Sequence, residues 1–366
     1  MWGYATWRNY RTARRSLRSL QHLNPHKKLK TRRPQKHRNI NMETQLPTTA
    51  HAEWSQQQKL WSTLTLVLIF FASATVTVAY LSHVSVSPDS QTATAATISD
   101  SFSAISLTAE SAFVVDLTTN GILYARNPDA QLPLASLTKV PMALVVSEVL
   151  TPESIITVPE HNTPDGAPVR LPTGLQLRVD DLLDFSLVAS SNEGSDILSN
   201  AAHPELSRKY PEADRNATTL WRMNDLAKHL GLTQTYFLNI HGLDVSTTQA
   251  GAYGSARDMA RLFAYAASTS PWVFEHTSRD TLSITALDGT VITAKNTDDA
   301  LSAIPGLILG KTGFTDLAGG NLAVVFEVGP AHPIVAVVLH STADGRFKDM
   351  KELVAAVQAA IAERQY

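Results

Sequence analysis

Three short segments stand in order along the chain: Ser136-Leu137-Thr138-Lys139, Ser190-Ser191-Asn192 and Lys311-Thr312-Gly313. Together they hold the parts of an acyl-transfer apparatus that uses lysine where a triad uses histidine: a serine nucleophile, a lysine one helical turn on, a second hydroxyl, and a cation on a strand edge. A serine hydroxyl is a weak nucleophile at neutral pH and needs a base within hydrogen-bond reach. Residues i and i+3 share a helix face, so a helix beginning at Ser136 brings Lys139 beside it. Lysine acts as a base only when burial or a nearby cation lowers its pKa, and Lys311 is the candidate cation. Free backbone N–H groups at the start of that helix suit a developing oxyanion.

The second segment follows a helical pattern and is expected on a turn. Ser190 or Ser191 is placed to relay a proton to a leaving amine, and Asn192 to hydrogen-bond a substrate amide. The third segment follows an apolar strand. Lys311 and Thr312 offer a charge and a hydroxyl to an anionic group, and Gly313 lets a substrate backbone approach along a sheet edge. Taken singly, the three read as well as a capping serine with a surface lysine, a polar loop, and a strand end with an exposed lysine. Their co-occurrence is what points to chemistry.

Other chemistries lack their residues. A phosphate loop needs G-x-x-x-x-G-K-S/T, but position 305 is Pro305 and Gly306 is one residue too close to Lys311. The twelve histidines include no H-E-x-x-H pair, so a zinc peptidase has no sequence support. The chain contains no cysteine, which excludes a thiol nucleophile, a disulfide scaffold and Cys-ligated zinc. No cofactor and no metal is expected.

The elements that must position these residues belong to a chain of 366 residues, 44% hydrophobic and 17% charged, enough for one large domain with additions. The formal net charge of -2 hides an uneven distribution, because the first forty residues are rich in Arg and Lys and contain no acid. Residues 1–59 read as a basic cytoplasmic tail. Leu60 to Leu81 is uncharged and apolar, with Trp61 and Tyr80 near its ends, and about 20 such residues span a bilayer as a helix. The basic side lies N-terminal, which puts the N-terminus in the cytoplasm and the rest outside.

Ala72-Ser73-Ala74 resembles a signal cleavage site, but the long preceding segment favours an uncleaved anchor, and Met42 is an alternative start. Trp2, Tyr4, Trp7 and Tyr10 interleave with the tail's cations, yet the adjoining span makes a topology signal the better reading than nucleic-acid binding. Residues 82–104 read as a stalk and 105–366 as the catalytic domain.

Within that domain, Ala112 to Asp116, a Thr119-Asn120-Gly121 turn and Ile122 to Ala125 predict a β-hairpin. Helices are predicted from Ser136 to Leu150, Val179 to Ala189, and Met223 to Leu230 before Gly231. Leu307 to Leu309, Leu322 to Phe326 and Ile334 to Leu339 predict buried strands, and Phe347 to Glu363 a closing helix. The fold class is therefore α+β, with the terminal segments sharing one largely antiparallel sheet and the helices segregated from it.

With these residues in view, the domain resembles the serine-type D-alanyl-D-alanine carboxypeptidases, the low-molecular-mass penicillin-binding proteins. Ala135 to Lys139 is similar to the family's first motif, and Lys311 to Thr315 with Ala318-Gly319 to its third. Asp116, Gly121, Leu123-Tyr124 and Asn127 resemble its first hairpin. Met223-Asn224, Ala227, Leu230-Gly231, Thr235, Phe237, Asn239, Gly242-Leu243-Asp244, Ser255 and Asp258-Met259-Ala260 resemble its middle segment. The likeness covers roughly Ala112 to Ala360.

The resemblance implies a β-lactamase/transpeptidase-like fold with flanking helices and a helical subdomain. It implies that Ser136 is acylated, Lys139 is the base, Ser190 and Asn192 form the S-x-N motif, and Lys311 and Thr312 hold the substrate's terminal carboxylate. The N–H groups of Ser136 and Phe314 would form the oxyanion hole, beside Gly313. The substrate would be a peptidoglycan stem peptide, water would release the acyl-enzyme, and β-lactams would acylate the same serine.

Two departures stand out. Asn192-Glu193-Gly194 stands where the family commonly has Asn-Asp-Ala, so the cleft's flank is expected to differ. Many members add a C-terminal β domain and an amphipathic helix; here the N-terminal helix would be the anchor. The leading expectation is a D,D-carboxypeptidase in the bacterial cell membrane with its catalytic domain outside. The rival is a D,D-endopeptidase cutting crosslinks. A β-lactamase needs a deacylating glutamate, which Glu193 is not placed to be. A non-catalytic wall-binding protein would have no use for three intact motifs.

Overall fold

The computed structural model describes residues 100–160 and 169–363. The tail, the apolar stretch from 60 to 81 and most of the stalk lie outside the described residues. Among the described residues no helix is long and apolar enough to cross a membrane.

The elements run as follows. β1 (Ser111–Asp116) and β2 (Gly121–Arg126) form the N-terminal hairpin, followed by β3 (Leu132–Pro133), a 3₁₀ turn (Ala135–Thr138) and α1 (Lys139–Ser147). β4 (Ile155–Thr157) and β5 (Gln176–Arg178) lead to α2 (Val179–Val188), α3 (Asn192–Lys209) and α4 (Thr218–His229). β6 (Tyr236–Phe237), β7 (Ala252–Gly254), α5 (Ala256–Thr269) and α6 (Pro271–Phe274) follow. The hairpin β8 (Thr281–Thr285) and β9 (Val291–Lys295) precedes β10 (Leu307–Thr315), β11 (Gly319–Glu327), β12 (Pro333–Ser341) and α7 (Gly345–Glu363).

The main sheet has the order β10-β11-β12-β1-β2 and every pairing in it is antiparallel. The two chain ends of the domain thus share one sheet, as the hydrophobic pattern implies. β12 shows why its strands are almost wholly apolar. Val335, Val337 and Leu339 enter the core shared with α1 to α5, whereas Ile334, Ala336 and Val338 enter a second core with Phe347, Met350, Leu353 and Val357 of α7. Successive side chains point to opposite faces, so a strand covered on both sides must be apolar at every position. This corrects the expectation of helices set apart from the sheet: α5 lies on one face and α7 on the other. Phe102, in a short 3₁₀ turn at Asp100–Phe102, is buried in the second core and stacks on Tyr124.

β10 is an edge strand. It carries Lys311-Thr312-Gly313 within its length rather than beyond its end, because the pairing with β11 continues from Leu307 to Thr315. The apolar run Leu307 to Leu309 marked only the strand's first third.

Candidate active site

Two other elements close on that edge. The first is the 3₁₀ turn with Ser136. The nucleophile's helix was expected to begin at Ser136, but α1 begins at Lys139 and the turn before it is tighter. The reason is crowding. A methyl group at Gly313 would stand 2.8 Å from the Leu134 carbonyl and 3.1 Å from Ser136 N, and one at Gly242 would stand 1.9 Å from the Ala135 carbonyl. The turn is wedged between these two glycines, and Ala135 adopts φ 47°, a strained conformation for a residue with a Cβ. The close approach at Gly313 is thus made by the chain's own backbone, a requirement the sequence reading assigned to substrate.

The second element is the junction of α2 and α3. Ser190 has φ 54°, which turns the chain sharply between the helices. Ser191 is the N-cap of α3, accepting from Gly194 N–H at 3.0 Å, so Ser190 is left to face the cleft. Asn192 opens α3 rather than sitting in a loop.

These pieces converge on two lysines. Lys139 is fully buried, and its Nζ donates to Ser136 Oγ at 2.9 Å, Asn192 Oδ1 at 2.6 Å and the His241 carbonyl at 3.1 Å. Burial pushes its pKa down to about 7, with the Asp196 carboxylate pulling the other way. Lys311, 2% exposed, donates to Ser190 Oγ at 2.8 Å and to the Thr312 carbonyl at 2.9 Å. Its pKa falls well below the ordinary lysine value through burial first, then through the charges of Lys139 and Arg346. The expectation that Lys311 tunes Lys139 needs amending, since burial leads for both. Neither lysine is the exposed surface residue that a single motif would suggest.

Thr312 is buried, and Phe314 is half exposed at the free edge. Ser136 N–H lies in the first turn, where a helix leaves its N–H groups without intrahelical acceptors. Ser136, Lys139, Ser190, Asn192, Lys311, Thr312, Gly313 and Phe314 therefore gather at one edge of the sheet. Ser191 faces away.

Several participants belong to none of the three motifs. His241 lends its carbonyl to Lys139, and burial and the Lys139 charge push its ring down to about 4. Asp244 ties the same loop to the end of β10, accepting from Thr315 Oγ1 at 2.9 Å and Leu317 N–H at 3.2 Å. Arg346, from α7, donates to the Gly313 carbonyl at 2.7 Å. Asn321 donates to the Pro133 carbonyl at 2.9 Å, pinning β3 to the sheet. Glu193, the departure noted above, accepts from Leu171 N–H at 3.2 Å and so ties α3 to the segment before β5. Among the described residues no group of three or more His, Asp or Glu gathers to hold a metal ion.

Such an arrangement deprotonates a hydroxyl at neutral pH without a histidine. Lys139 is half neutral near pH 7 and in contact with the hydroxyl it would deprotonate. A second hydroxyl, Ser190, is hydrogen-bonded to a second amine.

Comparison with known proteins agrees with this geometry. Residues 95–343 match the family described as D-alanyl-D-alanine carboxypeptidase. The chain is 29% identical over 234 residues to the D-alanyl-D-alanine endopeptidase of Escherichia coli, covering 63% of this chain and 70% of that protein. It is 26% identical over 258 residues to D-alanyl-D-alanine carboxypeptidase DacA of Escherichia coli, covering 67% and 60%. Among solved structures it is similar to penicillin-binding protein D2 of Listeria monocytogenes in the ampicillin-bound form, with TM-score 0.57 and 28% identity over 69% of this chain and 98% of that one. The architecture is thus the mixed transpeptidase-like fold of antiparallel sheet and helices. The chain spans less than two thirds of the length of the carboxypeptidase.

Proposed function

Because the chain belongs to the D-alanyl-D-alanine carboxypeptidase family, we propose that it is a serine D,D-carboxypeptidase removing the terminal D-alanine from peptidoglycan stem peptides. The observation that carries this reading is the buried contact of Lys139 Nζ with Ser136 Oγ at 2.9 Å. Neutral Lys139 takes the Ser136 proton as Oγ attacks the carbonyl carbon of the terminal D-Ala–D-Ala bond. The oxyanion forms against the N–H groups of Ser136 and Phe314. The C–N bond breaks, and the proton taken up by Lys139 is passed to the leaving amine through the Ser190 hydroxyl, which Lys311 polarises, so that Lys139 is neutral again. D-Alanine departs and the stem peptide remains as an ester on Ser136. Water then adds to the ester as Lys139 takes its proton, the bond to Ser136 Oγ breaks as Lys139 returns that proton to Oγ, and the shortened peptide is released. Asn192 holds Lys139 in place, Lys311 and Thr312 present the site for the terminal carboxylate, and Gly313 keeps β10 close to the nucleophile.

Penicillins acylate Ser136 by the same first step. The apolar stretch from 60 to 81 anchors the protein in the bacterial cell membrane, residues 1–59 remain in the cytoplasm, and 82–104 link to the catalytic domain of 105–366 outside. The absence of charge in that stretch and the basic segment before it support this arrangement.

A second reading, D,D-endopeptidase, is favoured by the likeness to the Escherichia coli endopeptidase. One experiment tests both. The purified chain and Ser136→Ala are incubated with pentapeptide monomers and with crosslinked dimers. Free D-alanine from monomers supports the carboxypeptidase, whereas monomers from dimers support the endopeptidase. Product from neither substrate, with no penicillin adduct, refutes both.

A further inference from the structure

The segment joining β9 to β10 reaches the cleft through a side chain that belongs to none of the three motifs. Thr297 Oγ1 lies 2.6 Å from Thr312 Oγ1. Its backbone is held from three directions. The Thr297 N–H donates to the Val188 carbonyl, two residues before Ser190, at 3.3 Å. Before it, the buried Asn296 side chain donates to the carbonyls of Thr277 and Arg279, each at 2.9 Å, and the Asn296 N–H donates to the Asp280 carbonyl at 2.7 Å. After it, Asp298 N–H donates back to Asn296 Oδ1 at 3.0 Å, and Asp298 Oδ1 accepts from Ala300 N–H at 2.8 Å. A β-branched residue between two braced neighbours has few rotamers and little backbone freedom, so its hydroxyl is fixed in space.

We propose that Thr297 is a positioning residue for carboxylate recognition, an inference that rests on the peptidase reading above. Its hydroxyl donates to Thr312 Oγ1 and thereby commits the Thr312 hydrogen to an acceptor in the cleft, the free C-terminal carboxylate of the substrate. Two hydroxyls in contact share one hydrogen between them, and the one that accepts keeps its own hydrogen for a third group. A carboxylate accepts and cannot donate. Its arrival at Thr312 therefore orders the pair as a chain from Thr297 to Thr312 to carboxylate, each bond polarising the next. The last bond is charge-assisted, and such bonds are roughly twice as strong as neutral ones. The chain consequently favours a free acid over a neutral ester or amide at the same place. Thr297 also spans the gap between α2, which delivers Ser190, and β10, which delivers Lys311. It thus fixes the acceptor site relative to the proton relay.

The test is Ser136 acylation of the full chain by benzylpenicillin, a free acid, and by its methyl ester, followed by intact mass. Thr297→Val keeps the shape and removes the hydroxyl; Thr297→Ser keeps the hydroxyl. The wild-type preference for the acid over the ester should fall by about 3- to 10-fold in Thr297→Val, the loss of one hydrogen bond. Thr297→Ser should restore it. A Thr297→Val protein that retains the wild-type preference, or slows with both compounds equally, overturns the inference and leaves the peptidase reading intact. A wild-type protein acylated by neither compound overturns the peptidase reading and this inference with it.

Discussion

Lys311 Nζ stands 2.8 Å from Ser190 Oγ, although the two residues are 121 positions apart in the chain. That contact joins the second and third motifs into one device. Lys311 spends one N–H on Ser190 and another on its own strand, at the Thr312 carbonyl. A lysine so engaged is placed to serve the proton relay as well as the electrostatics of the cleft, whereas its sequence context suggested an anion site and a cation to lower the Lys139 pKa.

Lys311→Ala should therefore slow acylation of Ser136 by about 10²-fold or more, the scale of a lost general-acid contribution. The loss should be felt by a substrate with an amidated C-terminus as well as by the free acid. Single-turnover rates with both substrates decide the point. A defect confined to the acid would reduce Lys311 to a carboxylate site.

The contact between Lys139 and Ser136 makes a prediction about pH. Lys139 must be neutral to act as base, and its pKa lies at about 7. The reactive fraction therefore grows as pH rises. Acylation should increase about tenfold per unit below pH 7 and level off above it. His241, the neighbouring imidazole, titrates at about 4 and does not contribute between pH 5 and 8. A rate that is flat from pH 5 to 8 would show that Lys139 is not the base.

Asn192 offers a way to move that limb. Its Oδ1 accepts from Lys139 Nζ at 2.6 Å. Asn192→Asp puts a carboxylate in the same place, and an opposite charge in contact raises a lysine pKa by about 1–3 units. The ammonium is favoured, so less neutral base remains at pH 7. The variant should lose about tenfold or more at neutral pH and recover part of the loss as pH is raised. A limb that stays where it is in the wild type would mean that Asn192 and Lys139 are not coupled.

Much of this arrangement was readable from residue types, and the unread parts share a cause. Ser136, Lys139, Ser190, Asn192 and Lys311 could be nominated because their chemistry is local and their spacing characteristic. The C-terminal strands could be read because a strand covered on both faces must be apolar throughout, and the hairpin because a Thr119-Asn120-Gly121 turn joins two short runs of strand-forming residues. α3 was missed because its polar start from Asn192 to Asp196 and its internal Pro204 obscure helical periodicity. Thr297 and Arg346 were missed because each acts through a partner at least 15 positions away, at Thr312 and Gly313, and Asp244, noted only for its likeness to the family's middle segment, shows its role only through Thr315. Burial of Lys139 and Lys311 was likewise invisible, since it comes from packing of distant segments and not from neighbouring residue types.

Gly313 gives the sharpest mechanical test. A Cβ there would meet the Leu134 carbonyl at 2.8 Å and Ser136 N at 3.1 Å, both backbone atoms of the nucleophile's turn. Neither can yield without displacing Ser136 from Lys139. Gly313→Ala should lower stability by about 1–3 kcal/mol, the range for overpacking. It should also slow acylation by about 10²-fold, since displacements near 1 Å cost that much in a positioned reaction. Gly310, three residues earlier on the same strand, is the control. A Cβ at Gly310 meets its nearest neighbours, Asp298 Oδ2 and Leu307, at 3.5 Å, an ordinary contact. Gly310→Ala should therefore keep its stability within about 0.5 kcal/mol of the wild type. Urea midpoints and penicillin acylation rates of the two variants supply the comparison. Equal behaviour of the two would show that the turn bearing Ser136 is not held against β10 as the structure has it.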